Sequence, residues 1–264
     1  MILQSVTGLK NTPARIVSLV PSQTELLHFL DLEKETVAIT KFCVHPKEWL
    51  TSKTIIGGTK NIHIEQVKNL HPDLIIANKE ENTKEQVEEL AASYPVWLTD
   101  VNDLPDAIKM ISSIGRLTDT STKATALIED IRAGFSSLEI KKSLIPAAYL
   151  IWRHPFMTIG GDTFINDMMT RCGLQNTFAH MTRYPQTTVA ELKEAGCRLL
   201  LLSSEPYPFK QQHIAELQAS LPKAKILLVD GEMFSWYGSR LLKAPGYFEE
   251  LMSKINAVPA GNDR

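Results

Sequence analysis

No apolar run in the 264-residue chain approaches the ~18–20 residues that a membrane-crossing helix needs. Neither charge is in surplus: 28 lysines and arginines stand against 30 aspartates and glutamates, for a formal net charge of −2. That balance offers no electrostatic footprint for nucleic acid or an anionic membrane surface. Cysteine is scarce, with Cys43, Cys172 and Cys197 odd in number and far apart. They make no disulfide framework, and they fit a reducing compartment. A phosphate loop of the GxxxxGKS/T type is missing too, because Gly57-Gly58-Thr59-Lys60-Asn61 lacks its spacing. The stretch from Met1 to Val20 has neither a long apolar core nor a small-residue cleavage site. The sequence as it stands therefore implies a cytoplasmic protein, and a periplasmic one if a leader belongs in front of it.

What remains is a globular composition, 44% apolar and 22% charged, long enough for one large domain or two ordinary lobes. The organising stretch is Thr120 to Ile140. Its apolar residues Ala124, Leu127, Ile128, Ile131, Phe135 and Leu138 fall on one stripe of a helix. Such a helix would be roughly 30 Å long. On each side lies a segment of short apolar strands alternating with helices. The pattern predicts an α/β protein of two Rossmann-like lobes with parallel sheets, residues 1–118 and 142–264. One long backbone helix, 119–141, joins them, with a ligand cleft between the lobes.

In the first lobe, strands are expected at Arg15–Val20, Val37–Thr40, Asp73–Ala77 and Val96–Leu98, and a helix from about Leu104 to Leu117. Residues 1–14 read as a lead-in or short edge strand. Ser22 and Glu25 read as a capping box after the first strand. Helix N–H groups there also suit an anion. Cys43 and His45 follow the second strand and are ligand types for metal, or packed loop residues. Glu65 sits in the first turn of a helix, where the dipole favours a carboxylate. In the second lobe, strands are expected at Ala147–Trp152, Leu199–Ser203 and Ile226–Val229, with a closing helix from about Pro245 to Ile255. Asp162 reads as a helix cap and Thr188 with Glu191 as a capping box. Aromatic and charged residues gather after the strand ends: Trp152-Arg153-His154-Pro155-Phe156, Glu205 with Tyr207, and Trp236-Tyr237 with Arg240. Tyrosine and tryptophan bring apolar area with a polar handle, which suits a cleft wall.

With these residues in view, the chain resembles the class III solute-binding proteins, the helical-backbone receptors for vitamin B12, haem and ferric siderophores. Within that family it is most similar to the B12 receptors. The resemblance runs from Arg15 to Ile255 and rests on RIVSLVPSQTELL, NIHIEQVKNLHPDLIIAN, HPFMTIGGDTFINDMM, YPQTTVAEL and WYGSR. It implies a non-enzymatic binding protein of ABC-transporter type, with cobalamin or a ferric chelate as ligand and no catalytic cofactor. The cleft aromatics of the family match Phe42, Phe156 and Tyr184. Thr59, Asn78 and Tyr184 stand where the B12 receptors carry tryptophan. Trp152, Arg153, Trp236 and Tyr237 are expected to supply aromatic and cationic surface instead, with Glu205, Tyr207 and Arg240 completing the rim. Glu65 and Glu191 match the glutamates offered to an ABC permease, and the protein is expected to be a monomer. Two other readings use Cys43, His45 and His154: a direct metal-ion binder, or an intracellular cofactor-handling protein or enzyme with a cysteine nucleophile.

Overall fold

The structure is a computed structural model that describes residues 1–3, 5–139 and 144–257. The chain divides into two compact units. The first comprises Met1–Val101, Pro105–Ile131 and Tyr237–Arg240, and the second Asn102–Leu104, Arg132–Trp236 and the chain from Leu241 onward. A short segment from far along the sequence therefore completes the first unit.

The first unit holds strands β1 (Ile16–Ser18), β2 (Thr36–Ile39), β3 (Thr54–Ile55), β4 (Leu74–Asn78) and β5 (Val96–Thr99). They form one parallel sheet in the order β3-β2-β1-β4-β5. Every residue of β1 and β4 is buried, as the apolar runs around Ile16 and Leu74 require of strands covered on both faces. The expected edge strand shrinks to a bridge between Ile2 and Val96. Strand order reverses beside β1, between β1 and β4. In open parallel sheets ligands collect outside the strand carboxyl ends at such a point. Helices α1 (Pro21–Phe29), α2 (Trp49–Ser52), α3 (Ile64–Asn69), α4 (Lys84–Ser93) and α5 (Leu104–Leu117) complete this half of the chain.

Helix α6 (Ser121–Ser136) buries Ala124, Leu127, Ile128, Ile131 and Phe135, the stripe expected from its periodicity. It is shorter than Thr120–Ile140, since Leu138 lies beyond its end and Ile140 falls outside the described residues. Gly115 allows α5 and α6 to touch: a Cβ there would stand 2.5 Å from that of Ala124.

In the second unit, β6 (Ile145–Leu150), β8 (Leu174–Asn176), β10 (Leu199–Ser203) and β11 (Lys225–Val229) form a parallel sheet in the order β11-β10-β6-β8. A two-stranded antiparallel ribbon pairs β7 (Phe156–Met157) with β9 (Gln186–Thr187). The helices are α7 (Phe164–Arg171), α8 (Val189–Glu194), α9 (Gln211–Ser220), α10 (Glu232–Ser235) and α11 (Ala244–Asn256). Alternation along the strands sends Ala148, Leu150, Leu200 and Leu202 into a cluster with Phe178, Leu192, Phe209 and Leu217. On the opposite side Tyr149 meets Phe234 edge-on at 5.3 Å, and Phe234 meets Phe248 at 4.9 Å. Each fully buried side chain of this size contributes about 1.5–3 kcal/mol of burial free energy. Here the strand order turns between β6 and β10, so their carboxyl-end loops hold the equivalent position.

Candidate functional site

At the carboxyl edge of the first unit, helix α1 begins differently from expectation. Pro21 takes the first helical position, and Val20 precedes it with no side-chain cap. Ser22 and Glu25 form no capping box. Glu25 instead pairs with Arg240: Nε donates to Oε2 at 3.1 Å and Nη2 lies in ion-pair contact with Oε1 at 2.7 Å, with both side chains largely buried. The hydroxyl of Tyr237, also buried, bonds the side chains of Gln23 and Ser22. Burial pushes its pKa well up, and Glu81 and Glu80 nearby add to the shift. The chain reaches this spot through Gly238 at φ +123°, where a Cβ would press within 3.2 Å of the Ser22 carbonyl. Arg240 and Tyr237 are thus tied into the edge of the first unit.

The loop after β2 carries Phe42, Cys43 and His45. Cys43 is fully buried, its Sγ 3.1 Å from Thr24 Oγ1 and 3.2 Å from Thr40 Oγ1. Burial raises its pKa, against smaller opposing effects of those hydrogen bonds. A protonated, enclosed thiol is a poor nucleophile and a poor metal ligand. His45 is half-buried. Phe42 is 51% exposed, with Lys41 Nζ 5.2 Å from its ring centroid. Asn78 and Asn82 organise the loop after β4. Asn78 Oδ1 accepts from the N–H groups of Glu80 and Glu81, while Asn82 Nδ2 donates to the carbonyls of Thr59 and Leu19. Asn78 and Thr59 are themselves buried, so they build this edge from within.

At the second unit's edge the surface is aromatic. Trp152 is 39% exposed and meets Tyr207 edge-on at 5.8 Å. Tyr207 packs in turn against Phe209 at 4.8 Å and His213 at 5.6 Å. Arg153 pairs with Glu216, and His154 is exposed beside them. Glu205 Oε1 accepts from Ser235 Oγ at 2.6 Å and from Trp236 Nε1 at 2.9 Å. Trp236 is thereby buried rather than presented as surface. Phe156 and Tyr184 are half-buried on and beside the β7–β9 ribbon. Asp162 is not the cap of α7: Thr163 takes that place, and Asp162 accepts the backbone N–H of Arg183 at 2.6 Å.

Glu65 is exposed in the first turn of α3 and pairs with Lys68 at 2.7 Å. Glu191 is exposed in the first turn of α8, in the expected capping box with Thr188. Its hydrogen bonds from the Thr188 N–H and hydroxyl hold its carboxyl below the usual range. Among the described residues no group of three or more His, Cys, Asp or Glu is placed to hold a metal ion, and no helix is long and apolar enough to cross a membrane.

The sequence pattern of a family described as periplasmic binding protein matches residues 16–220. The chain belongs to that family. A vitamin B12-binding protein of Pectobacterium carotovorum is 23% identical over 261 residues, covering 95% of this chain and 91% of its own. An uncharacterized ABC transporter substrate-binding lipoprotein, YvrC of Bacillus subtilis, is 29% identical over 196 residues, covering 70% and 62% respectively. The solved periplasmic haem-binding protein of Pseudomonas aeruginosa superposes with a TM-score of 0.78 at 18% identity, over 94% of this chain and 95% of its own. The periplasmic binding protein described here shares their α/β fold, and these relatives are binding proteins.

Reading the sequence alone missed three groups that brace these edges: Gln23, His213 and Glu216. Gln23 and Glu216 had no local mark, because their partners Thr99 and Arg153 lie far off in sequence. His213 bonds locally, to the Lys210 N–H, but no spacing singled it out.

Proposed function

We propose that this periplasmic binding protein is the substrate-binding component of an ABC-type importer, working outside the cytoplasm and carrying a corrinoid or ferric chelate without catalysis. The observation that carries the reading is the exposure of two large aromatics. Among the described residues Phe42 and Trp152 are the large exposed aromatic hydrophobics, one in each unit. Both sit on loops at the carboxyl edge of a parallel sheet, where such folds bind ligands. Exposed aromatic faces suit a large, flat, partly apolar ligand. The relatives point the same way, since their names give vitamin B12 and haem as ligands.

In this reading residues 1–118 and 142–264 are the two binding lobes, and α6 is the strut that joins them in sequence. The exposed Glu65 and Glu191 are the carboxylates offered to a permease. Cys43 is a packing residue. The decisive test is an equilibrium titration with cyanocobalamin and, in parallel, with a ferric hydroxamate and haem, followed by tryptophan fluorescence. Binding by one of them that weakens in both Phe42→Ala and Trp152→Ala supports the proposal. No binding of any at micromolar concentration removes it.

A further inference from the structure

The aromatic edge of the second unit is built on a histidine. His213, in the first turn of α9, is 3% exposed and packs against both Tyr207 and Phe209, its ring centroid 5.6 Å from each. Its Nδ1 lies 2.8 Å from the backbone nitrogen of Lys210, the residue that precedes the helix. A backbone N–H can only donate, so Nδ1 carries a lone pair and the neutral ring keeps its proton on Nε2. Nε2 in turn faces the Tyr207 hydroxyl at 3.5 Å. Tyr207 is the ring that meets the exposed Trp152 edge-on at 5.8 Å. All of these residues lie within the second unit.

A second proton has no place in this arrangement. It would sit on Nδ1 and set donor against donor at Lys210. The charged and titratable groups around the ring are Arg153 and His154 on the loop after β6, Lys210 ahead of α9, and Glu216 on that helix. The ribbon and α8 contribute Phe156 and Val189, which carry no charge. Glu216 is already paired with Arg153. Burial and Arg153 lower the His213 pKa, Lys210 and His154 add to the shift, and Glu216 opposes it. A cavity of about 150 Å³ borders the ring, lined by Phe156, Val189, Phe209 and Leu217 together with Arg153 and Glu216. A protonated ring therefore has room to swing from Lys210 toward Glu216 without the sheet coming apart.

We propose that His213 is a positioning residue for the Trp152 surface: neutral, it holds Tyr207 in place against Trp152, and on taking up a proton it lets both go, so that ligand affinity falls as pH drops. The inference rests on the binding reading above, which makes Trp152 ligand surface, and adds a release condition to it. Binding and proton uptake then oppose one another, so binding at acid pH expels a proton, at most about one per protein.

The experiment is calorimetric titration from pH 7.5 to pH 5 with cyanocobalamin, or with the ferric hydroxamate if that is the ligand bound, since neither titrates in this range. If haem alone binds, the difference between wild type and variant is read, because its carboxylates titrate in both. Each titration is repeated in two buffers of different ionisation enthalpy, which counts protons released on binding. The variant is His213→Gln: glutamine at the third helical position can still accept the Lys210 N–H, as in a capping box, and cannot titrate. Wild type should weaken about tenfold between pH 7.5 and pH 5 and release a proton on binding at the acid end. His213→Gln should match wild type at pH 7.5 within about twofold, hold its affinity to pH 5 and release none. His154→Gln separates the two histidines: whatever it does at pH 7.5, it should keep the wild-type slope. Wild-type affinity that stays level with no proton released overturns the inference, even if the variant fails to fold. An equal fall in His213→Gln, or a slope that vanishes with His154→Gln, overturns it too, and each of these leaves the binding reading intact. Binding of none of the three ligands at pH 7.5 removes the binding reading and the inference with it.

Discussion

The two sheet edges solve the same problem with different chemistry. In the first unit, polar side chains brace the loops: Glu25 with Arg240, Asn82 with Thr59 and Leu19, and Tyr237 with Ser22 and Gln23. In the second, Tyr207, Phe209 and His213 pack edge-on, with Phe234 wedged between Tyr149 and Phe248 behind them. A polar brace is directional, and losing one partner leaves a buried group unpaired. An aromatic brace is graded, and its cost follows the area and the cavity left behind.

The largest effect separates these modes in the second unit. Phe234→Ala should destabilise the protein by about 3–5 kcal/mol, since a fully buried ring is removed. Urea unfolding followed by circular dichroism would read this, and a loss below about 1 kcal/mol would mean the ring is not the brace. In the first unit, Arg240→Ala should cost about 3 kcal/mol because Glu25 is left buried and unpaired. The sharper test is the double variant Arg240→Met with Glu25→Leu, which should regain most of that stability. If the double variant is as unstable as the single one, the pair matters by packing rather than by charge.

Exposed aromatics should behave in the opposite way. Phe42→Ala and Trp152→Ala should each weaken ligand about tenfold, equivalent to about 1.4 kcal/mol, while shifting stability within ~0.5 kcal/mol. A large stability loss in either would return that ring to the core.

The smallest effect is a pH dependence confined to the second unit. The buried ring of His213 accepts the Lys210 N–H at Nδ1, at 2.8 Å, in the first turn of α9. Burial, together with Arg153, Lys210 and His154, lowers its pKa, while Glu216 opposes the shift. A lowered histidine stays neutral in the fold after the unfolded chain has begun to take up a proton. Its contribution is therefore full above the ordinary value of about 6.5 and falls as pH drops below it. Stability measured from pH 7.5 to 5 should decline, and His213→Gln should flatten part of that decline. An unchanged slope would show that other groups set it.

Much of the fold was readable before any coordinates. The strands at Leu199–Ser203 and Val96, the helix from Leu104, and the buried stripe of α6 follow from local apolar periodicity. So does the capping box of Thr188 and Glu191, whose partners lie three residues apart. The matching pattern at Ser22 and Glu25 misled, because local spacing cannot show that Arg240, 215 positions further on, competes for the carboxylate. Trp236 likewise looked like cleft surface, yet Glu205 draws its indole inward. Exposure of Phe42 and burial of its neighbour Cys43 were equally closed to inspection, since adjacent loop residues carry no period.

By itself the sequence determined the α/β pattern of strands and helices, the amphipathic α6, and the placing of aromatic and polar residues at strand ends. These depend on hydrophobic periodicity and short-range hydrogen bonding, which act over a few residues. Only the tertiary structure decided which polar groups are consumed by the fold and which stay available. That depends on partners far apart in the chain: Arg240 meets Glu25, Arg153 meets Glu216, and Trp236 meets Glu205.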